Sequence, residues 1–217
     1  MSPLYNLLLS PHPDDLVFSA FSIMTKKRNN LALVFFNVSS FTRWPIKSRK
    51  LVTGYRTLED RAILNSLGAK VKYLNLEDNS LKKSGQILRL SDREPKLEPP
   101  EKIYSPLGVG NSPNHLEVRD WAIKRWISWK KQSALYFYED LPYAAKLENA
   151  GSAEKAIIDD LEKVCGPIEQ VKEHLTESQL SRKVRLCKSY FSQTYYSEMI
   201  GNHAKSLGSA EIFYRAV

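Results

Sequence analysis

Residues 4–19 read LYNLLLSPHPDDLVFS. An almost unbroken apolar run meets two prolines, a histidine and two adjacent aspartates. The apolar part has the character of a strand covered on both faces, and the prolines end it. His12, Asp14 and Asp15 therefore fall at the tip of a core strand. Neighbouring carboxylates repel one another and resist burial, and a bound cation would compensate both. Spacing alone leaves a second reading open. Pro13 could fix a plain turn, with an Asp capping a helix that starts at Leu16.

The next segments build outward from that strand. LVFSAFSIMTKK (16–27) reads as a helix, and LALVFFNVS (31–39) as a second buried strand. TGYRTLEDRAILNSLGA (53–69) reads as a helix with Leu58, Ala62, Ile63 and Leu67 on its apolar side, terminated at Gly68. KVKYLNL (70–76) alternates as a third strand. This order predicts an α/β fold: a Rossmann-like, doubly wound, mostly parallel sheet with helices on both faces. A charged, proline-broken connection follows at 77–102, then a short strand in IYSPLG (103–108). HLEVRDWAIKRWISWKK (115–131) is a helix whose Val118, Trp121, Ala122, Trp126 and Trp129 point to a core rather than a base-stacking platform. SALYFYED (133–140) is another strand, 176–194 another helix, and EIFYRAV (211–217) is strand-like. The remainder is mixed. No repeat or linker divides the chain, so 1–217 reads as one domain.

Composition narrows the function classes. The chain has 217 residues, 42% of them hydrophobic, and a net charge of +8 with a pI near 9.3. That balance suits either an anionic partner or a basic solvent-facing surface. Lys and Arg are dispersed and no nucleic-acid motif appears, so specific nucleic-acid binding is not expected. No apolar run approaches the roughly 20 residues of a membrane span. The N-terminus lacks the basic start and long apolar stretch of a signal peptide, which makes the cytoplasm the simplest location. Cys165 and Cys187 form no CxxC and argue against a disulfide scaffold or a cysteine-zinc site.

In open α/β sheets, sites form beyond the carboxyl ends of the strands. Strand 4–10 ends at His12, Asp14 and Asp15. The strand after residue 103 leads to His115, and strand 133–138 ends at Glu139 and Asp140. A parallel sheet would bring these ends to one edge. Two His and one carboxylate suit a catalytic zinc or a non-haem iron. A second carboxylate is then available as a general base for a water acidified toward a pKa of about 7. His115 alone reads more readily as a helix-start or surface histidine than as a ligand.

Four segments, in order, carry a resemblance. SPHPDDLVFS (10–19) resembles the PHPDD signature of the PIG-L/LmbE-like deacetylases. GYRTLEDRAILNSLGA (54–69) is similar to the R-x-x-E helix of that family. PLGVGNSPNHLEVRDWA (106–122) is similar to its segment ending in H-x-D-H, and YFYEDLPYA (136–144) to the YEDLPYA segment of one branch. The resemblance implies a metal-dependent, usually zinc, N-deacetylase acting on amino sugars and glycoconjugates. It implies His12, Asp15 and His115 as metal ligands, with one Zn2+ or another divalent ion such as Fe2+ per chain. Asp14 would be the general base, and Arg56 would contact substrate, although on its helix it could instead pair with Glu59 or Asp60.

Two departures stand out. Leu16 replaces the family Glu after PHPDD. Ser112 stands where the family places an oxyanion-stabilising His, and Asn114 replaces the family Asp. His203 is the first candidate to stand in for the missing His, with Tyr104, Tyr138 and Tyr143 behind it. The expected substrate-binding set is thus Arg56, Ser112, Tyr143 and His203. The expected substrate is an N-acetylated sugar, possibly anionic, bound between pocket-shaping loops 77–102 and 139–153, and a homo-oligomer is possible. The same departures leave an alternative: a weak or inactive carbohydrate- or metabolite-binding protein on this fold.

Overall fold

The structure is a computed structural model that describes residues 5–26, 29–79, 95–147, 149–193 and 196–217. A seven-stranded sheet carries the fold, in the order β3-β2-β1-β4-β5-β7-β6. β1 (Asn6–Ser10), β2 (Asn30–Val34), β3 (Lys70–Tyr73), β4 (Lys102–Pro106) and β5 (Ala134–Tyr138) are parallel. β7 (Ala210–Ala216) runs antiparallel to both β5 and β6 (Ile168–His174). The chain winds from β1 outward to β3, then returns to place β4 on the other side of β1. That reversal lies between β1 and β4, where an α/β sheet opens a crevice at its carboxyl edge.

Burial follows position in the sheet. Every residue of central β1 is buried, whereas the terminal strands β3 and β6 alternate partly buried with exposed residues. Helix α4 (Pro113–Ser128) packs beside β4 and β1 with Val118, Trp121 and Trp126 inward. The Trp121 ring meets Phe35 edge-on at 5.3 Å, and Trp126 donates to the Ser133 carbonyl at 2.8 Å. The tryptophans on this helix are core, as their spacing indicates.

Three elements depart from the sequence reading. The helix expected over 16–27 is two short ones, α1 (Asp15–Ser19) and α2 (Phe21–Thr25), broken at Ala20. In a continuous helix the Phe21 and Ser22 amides would bond back one turn. Here they donate to the Glu211 carboxylate at 3.1 and 2.8 Å. Glu211 is itself buried and paired with buried Lys183 at 2.6 Å. The helix expected over 53–69 is α3 (Arg49–Ser66), started by the Ser48 hydroxyl. It buries Val52, Arg56, Asp60, Ile63 and Leu64, while Leu58 is 63% exposed. Gly68, at φ 79, follows its end as expected. Strand 31–39 stops at Val34. Beyond it, the amides of Phe35 and Phe36 bond to the carbonyls of Ser10 and Pro11, along the turn that carries the site.

The C-terminal third is more regular than its sequence suggested. It contains α5 (Tyr143–Lys146), α6 (Ala150–Cys165), α7 (Glu177–Lys188) and α8 (Ser197–Ser206) besides β6 and β7. Residues 80–94, most of the expected 77–102 loop, lie outside the described residues, as do Leu4, Lys27, Glu148 and Thr194. Among the described residues, no helix is long and apolar enough to cross a membrane.

Candidate metal centre and cleft

β1 delivers the first half of the site. After Ser10 the chain turns through Pro11, His12 and Pro13 into Asp14, whose φ of 107° lies where non-glycine residues rarely sit. The Asp14 side chain makes no cap bond to the helix that follows. It accepts instead from Arg56 Nη2 at 3.2 Å. Arg56 also donates to the Pro13 carbonyl and the Ser39 hydroxyl, each at 3.2 Å, so one guanidinium braces both the turn and the carboxylate. Asp15 faces the other way. Its Oδ2 accepts from the His12 amide at 2.7 Å and lies 3.2 Å from His12 Nδ1. A turn-and-cap reading of HPDD thus fails at Asp14, because its carboxylate points away from the helix start.

The second half comes from α4 and β5. His115, in the first turn of α4, is fully buried. Its Nδ1 meets Asp140 Oδ1 at 2.5 Å, and the other Asp140 oxygen accepts from the Gly108 and Val109 amides at 2.7 and 2.9 Å. Asp140 therefore fixes the ring through one nitrogen and aims the other inward. His115 Nε2 is buried, has no hydrogen-bond partner, and lies 3.6 Å from Asp15 Oδ2. One donor atom each from His12, Asp15 and His115 lies within 4.8 Å of the others. An orphaned imidazole nitrogen, a second imidazole and a carboxylate fit a divalent cation, with Asp140 as the outer carboxylate that orients a ligating His.

Asp140, not Asn114, is the hydrogen-bond partner of the His115 ring. Asn114 Nδ2 lies 2.7 Å from His12 Nε2, and its Oδ1 accepts from the Asn79 amide at 3.3 Å. Leu16 is buried in the core.

His12 and Asp15 line a cleft of about 510 Å³, together with Asp14, Arg56, Ser112 and Tyr143, while fully buried His115 lies behind its wall. Of the two expected loops, the first contributes Asp78 and Asn79 and the second contributes Pro142, Tyr143 and Lys146. The Tyr143 and His115 rings meet edge-on with centroids 5.2 Å apart. His203 is not among the lining residues. It sits on α8 at a separate surface depression, 2.8 Å from Glu139. Tyr104 is stacked on Tyr136 in the core, and the Tyr138 phenol donates to the Leu9 carbonyl. Gln193 was not anticipated: it is buried in the cleft wall, and its Nε2 has no partner.

Charges set the protonation states. Burial holds the Asp14 carboxyl well above the usual range; Arg56 opposes this, while Asp15 and Asp60 add to it. Burial also raises Asp15, but His115 and His12 outweigh it and the net direction is down. Burial lowers His115, yet Asp15 and Asp140 leave it above its ordinary value. A cation would reverse that direction, because ligation requires the neutral ring. Burial, then Asp15, pushes the Tyr143 phenol up to about 12, so it is a donor throughout the neutral range.

Asp60 is a second residue that sequence reasoning passed over. It projects inward one turn beyond Arg56 and accepts from Tyr190 at 2.8 Å, Tyr73 at 2.9 Å and the Asp14 amide at 3.3 Å. Burial nonetheless raises its carboxyl to about 6. The folded chain thus holds this proton more tightly than the unfolded one. Its contribution is fully present below about pH 4 and is lost as pH rises through 6, by up to about 1.4 kcal/mol per pH unit. The stability difference between Asp60→Asn and the wild type should therefore move in the variant's favour from pH 4 to 6. Urea midpoints at several pH values test this, and a difference that stays flat would sink the assignment.

Residues 7–126 match the PIG-L family, described as GlcNAc-PI de-N-acetylase. No curated protein sequence matches the chain significantly. Among solved structures, a deacetylase of teicoplanin biosynthesis superposes with a TM-score of 0.71 at 17% identity, covering 98% of each chain. The N,N'-diacetylchitobiose deacetylase of Pyrococcus horikoshii gives 0.66 at 16%, covering 99% of this chain and 84% of its own. A 4-carboxy-2-hydroxymuconate hydratase from Pseudomonas putida KT2440 gives 0.64 at 15%, covering 99% and 96%. The fold is thus shared by proteins of different named activities, while the family match spans more than half of the sequence and includes both halves of the His12–Asp15–His115 trio. The chain belongs to the PIG-L family.

Proposed function

We propose that this chain is a zinc-dependent N-deacetylase that hydrolyses the acetamide of an N-acetyl amino sugar or glycoconjugate precursor. The observation that carries this reading is the buried, unpartnered His115 Nε2, aimed at Asp15 and His12 with the Arg56-braced Asp14 beside them. His12, Asp15 and His115 would hold the metal. When bound, such an ion supplies a Lewis acid for the acyl oxygen and lowers the pKa of a neighbouring water.

The chain's own residues do the rest. Asp14 takes a proton from the attacking water as the new O–C bond forms. Arg56 keeps its carboxylate in one position while leaving a lone pair for that proton. When the C–N bond breaks, Asp14 passes the proton to the departing nitrogen, giving acetate and a free amine. The cleft wall suits a sugar. Phe41 offers an exposed ring, and Lys146 lies 4.3 Å over Tyr196, which leaves a cation at the mouth for an anionic substituent. Ser112, Tyr143 and Gln193 supply neutral donors.

Purified, zinc-loaded protein should release acetate from at least one of N-acetylglucosamine, N,N'-diacetylchitobiose or UDP-N-acetylglucosamine, and a chelator should stop it. Tight sugar binding without acetate release would instead assign the fold a binding role, the reading that the Leu16 and Ser112 departures favour.

A further inference from the structure

Addition of water to an acetamide leaves a negative oxygen on the former carbonyl, and a donor aimed at that oxygen is worth a large share of the rate. Few donors beside the ligand trio are uncommitted. The two terminal nitrogens of Arg56 are engaged by Asp14, Pro13 and Ser39, and Asn114 lies against His12. Gln193 follows Ser192, whose amide and hydroxyl are tied to Glu59 on α3, so it comes from the side of the cleft that carries Arg56.

Tyr143 is different on three counts. Its ring packs on His115, one of the trio itself. The ring also rests on Gly110, where an added Cβ would lie only 3.0 Å from Tyr143 Cβ and Cδ1. Gly110 also has φ +82°, a conformation suited to glycine. The ring therefore packs against His115 and against a glycine that leaves room for it. Lastly, it lines the same cleft as His12, Asp14 and Asp15.

We propose that the Tyr143 hydroxyl, on a ring packed against both Gly110 and His115, is the donor that stabilises the oxyanion of the tetrahedral adduct. As the water O–C bond forms, the C=O π pair moves onto oxygen, and Tyr143 donates a hydrogen bond to it without giving up its proton. The pair returns as the C–N bond breaks. This assignment rests on the deacetylase reading and deepens it.

The test is Tyr143→Phe, which keeps the packed ring and removes one oxygen. Its kcat should fall about 100- to 1,000-fold, with KM changed little and zinc content unchanged. The N-methylphosphonamidate of glucosamine, a tetrahedral mimic, should bind the variant about 100-fold more weakly than the wild type, while glucosamine binds both equally. A kcat within about threefold of wild type, or a mimic that fails to discriminate, would overturn the role of Tyr143. A wild type that releases no acetate but loses mimic affinity in the variant would overturn deacetylation and leave the donor in place. A wild type that neither releases acetate nor binds the mimic would overturn both.

Discussion

Asp14→Asn is expected to retain its metal and to lose turnover by about 100- to 10,000-fold, the usual worth of a positioned acid–base group. Asn has nearly the same shape, and its amide oxygen can keep the contact that Arg56 makes at 3.2 Å. The brace on the turn survives too, since Arg56 also holds the Pro13 carbonyl and the Ser39 hydroxyl. An amide accepts no proton at neutral pH, so the variant should bind substrate and stall. Elemental analysis beside an acetate-release assay separates the two properties. Metal retained with wild-type turnover would remove Asp14 from the chemistry. Metal lost would mean that Asp14, not only Asp15, serves as a ligand.

The second large effect concerns His115 and the carboxylate behind it. His115→Ala removes one of three donors whose atoms lie within 4.8 Å of one another, and should empty the site of metal. Asp140→Asn should be milder, weakening metal affinity by about 10- to 100-fold, as loss of an outer carboxylate does elsewhere. The difference follows from geometry. Asp140 touches only Nδ1, and its second oxygen is engaged by two backbone amides, so the variant leaves His115 in place but less firmly aimed. Metal titration of both variants beside the wild type checks the order. A His115→Ala protein that still holds about one ion per chain would take His115 out of the ligand set.

Much of the frame was legible because its signals are local. β1 and β2 are short apolar runs closed by polar or proline-rich breaks, and their alternation with helices signals a mostly parallel α/β sheet. The proposed ligand trio was legible only through resemblance, since spacing left HPDD open as a turn. The inward face of α3 was misread for a physical reason. Apolar periodicity favoured Leu58, but Arg56 and Asp60 turn inward because Asp14 and two tyrosines satisfy them there. A pattern of hydrophobicity does not show which charges will find partners. Asp140 lay in plain view at the end of a strand, and only the fold shows that it stands behind His115. His203 illustrates the converse: its distance from the cleft depends on the packing of α8, which no local signal encodes. Asp60 and Gln193 had no sequence signal beyond being polar.

The Glu211 carboxylate that splits α1 from α2 has a consequence for how the protein comes into being. Two amides just after the aspartate turn are held by a residue about 190 positions later. Tyr190 reaches Asp60 across 130 positions, and Tyr138 reaches the Leu9 carbonyl across 129. A chain emerging from the ribosome therefore presents every proposed ligand by His115, but the Glu211 clamp just behind the aspartate turn forms only when its last strand appears. Closures this distant in sequence slow folding. The nascent protein passes through a long interval in which its most oxygen- and imidazole-rich segment is made but not yet enclosed.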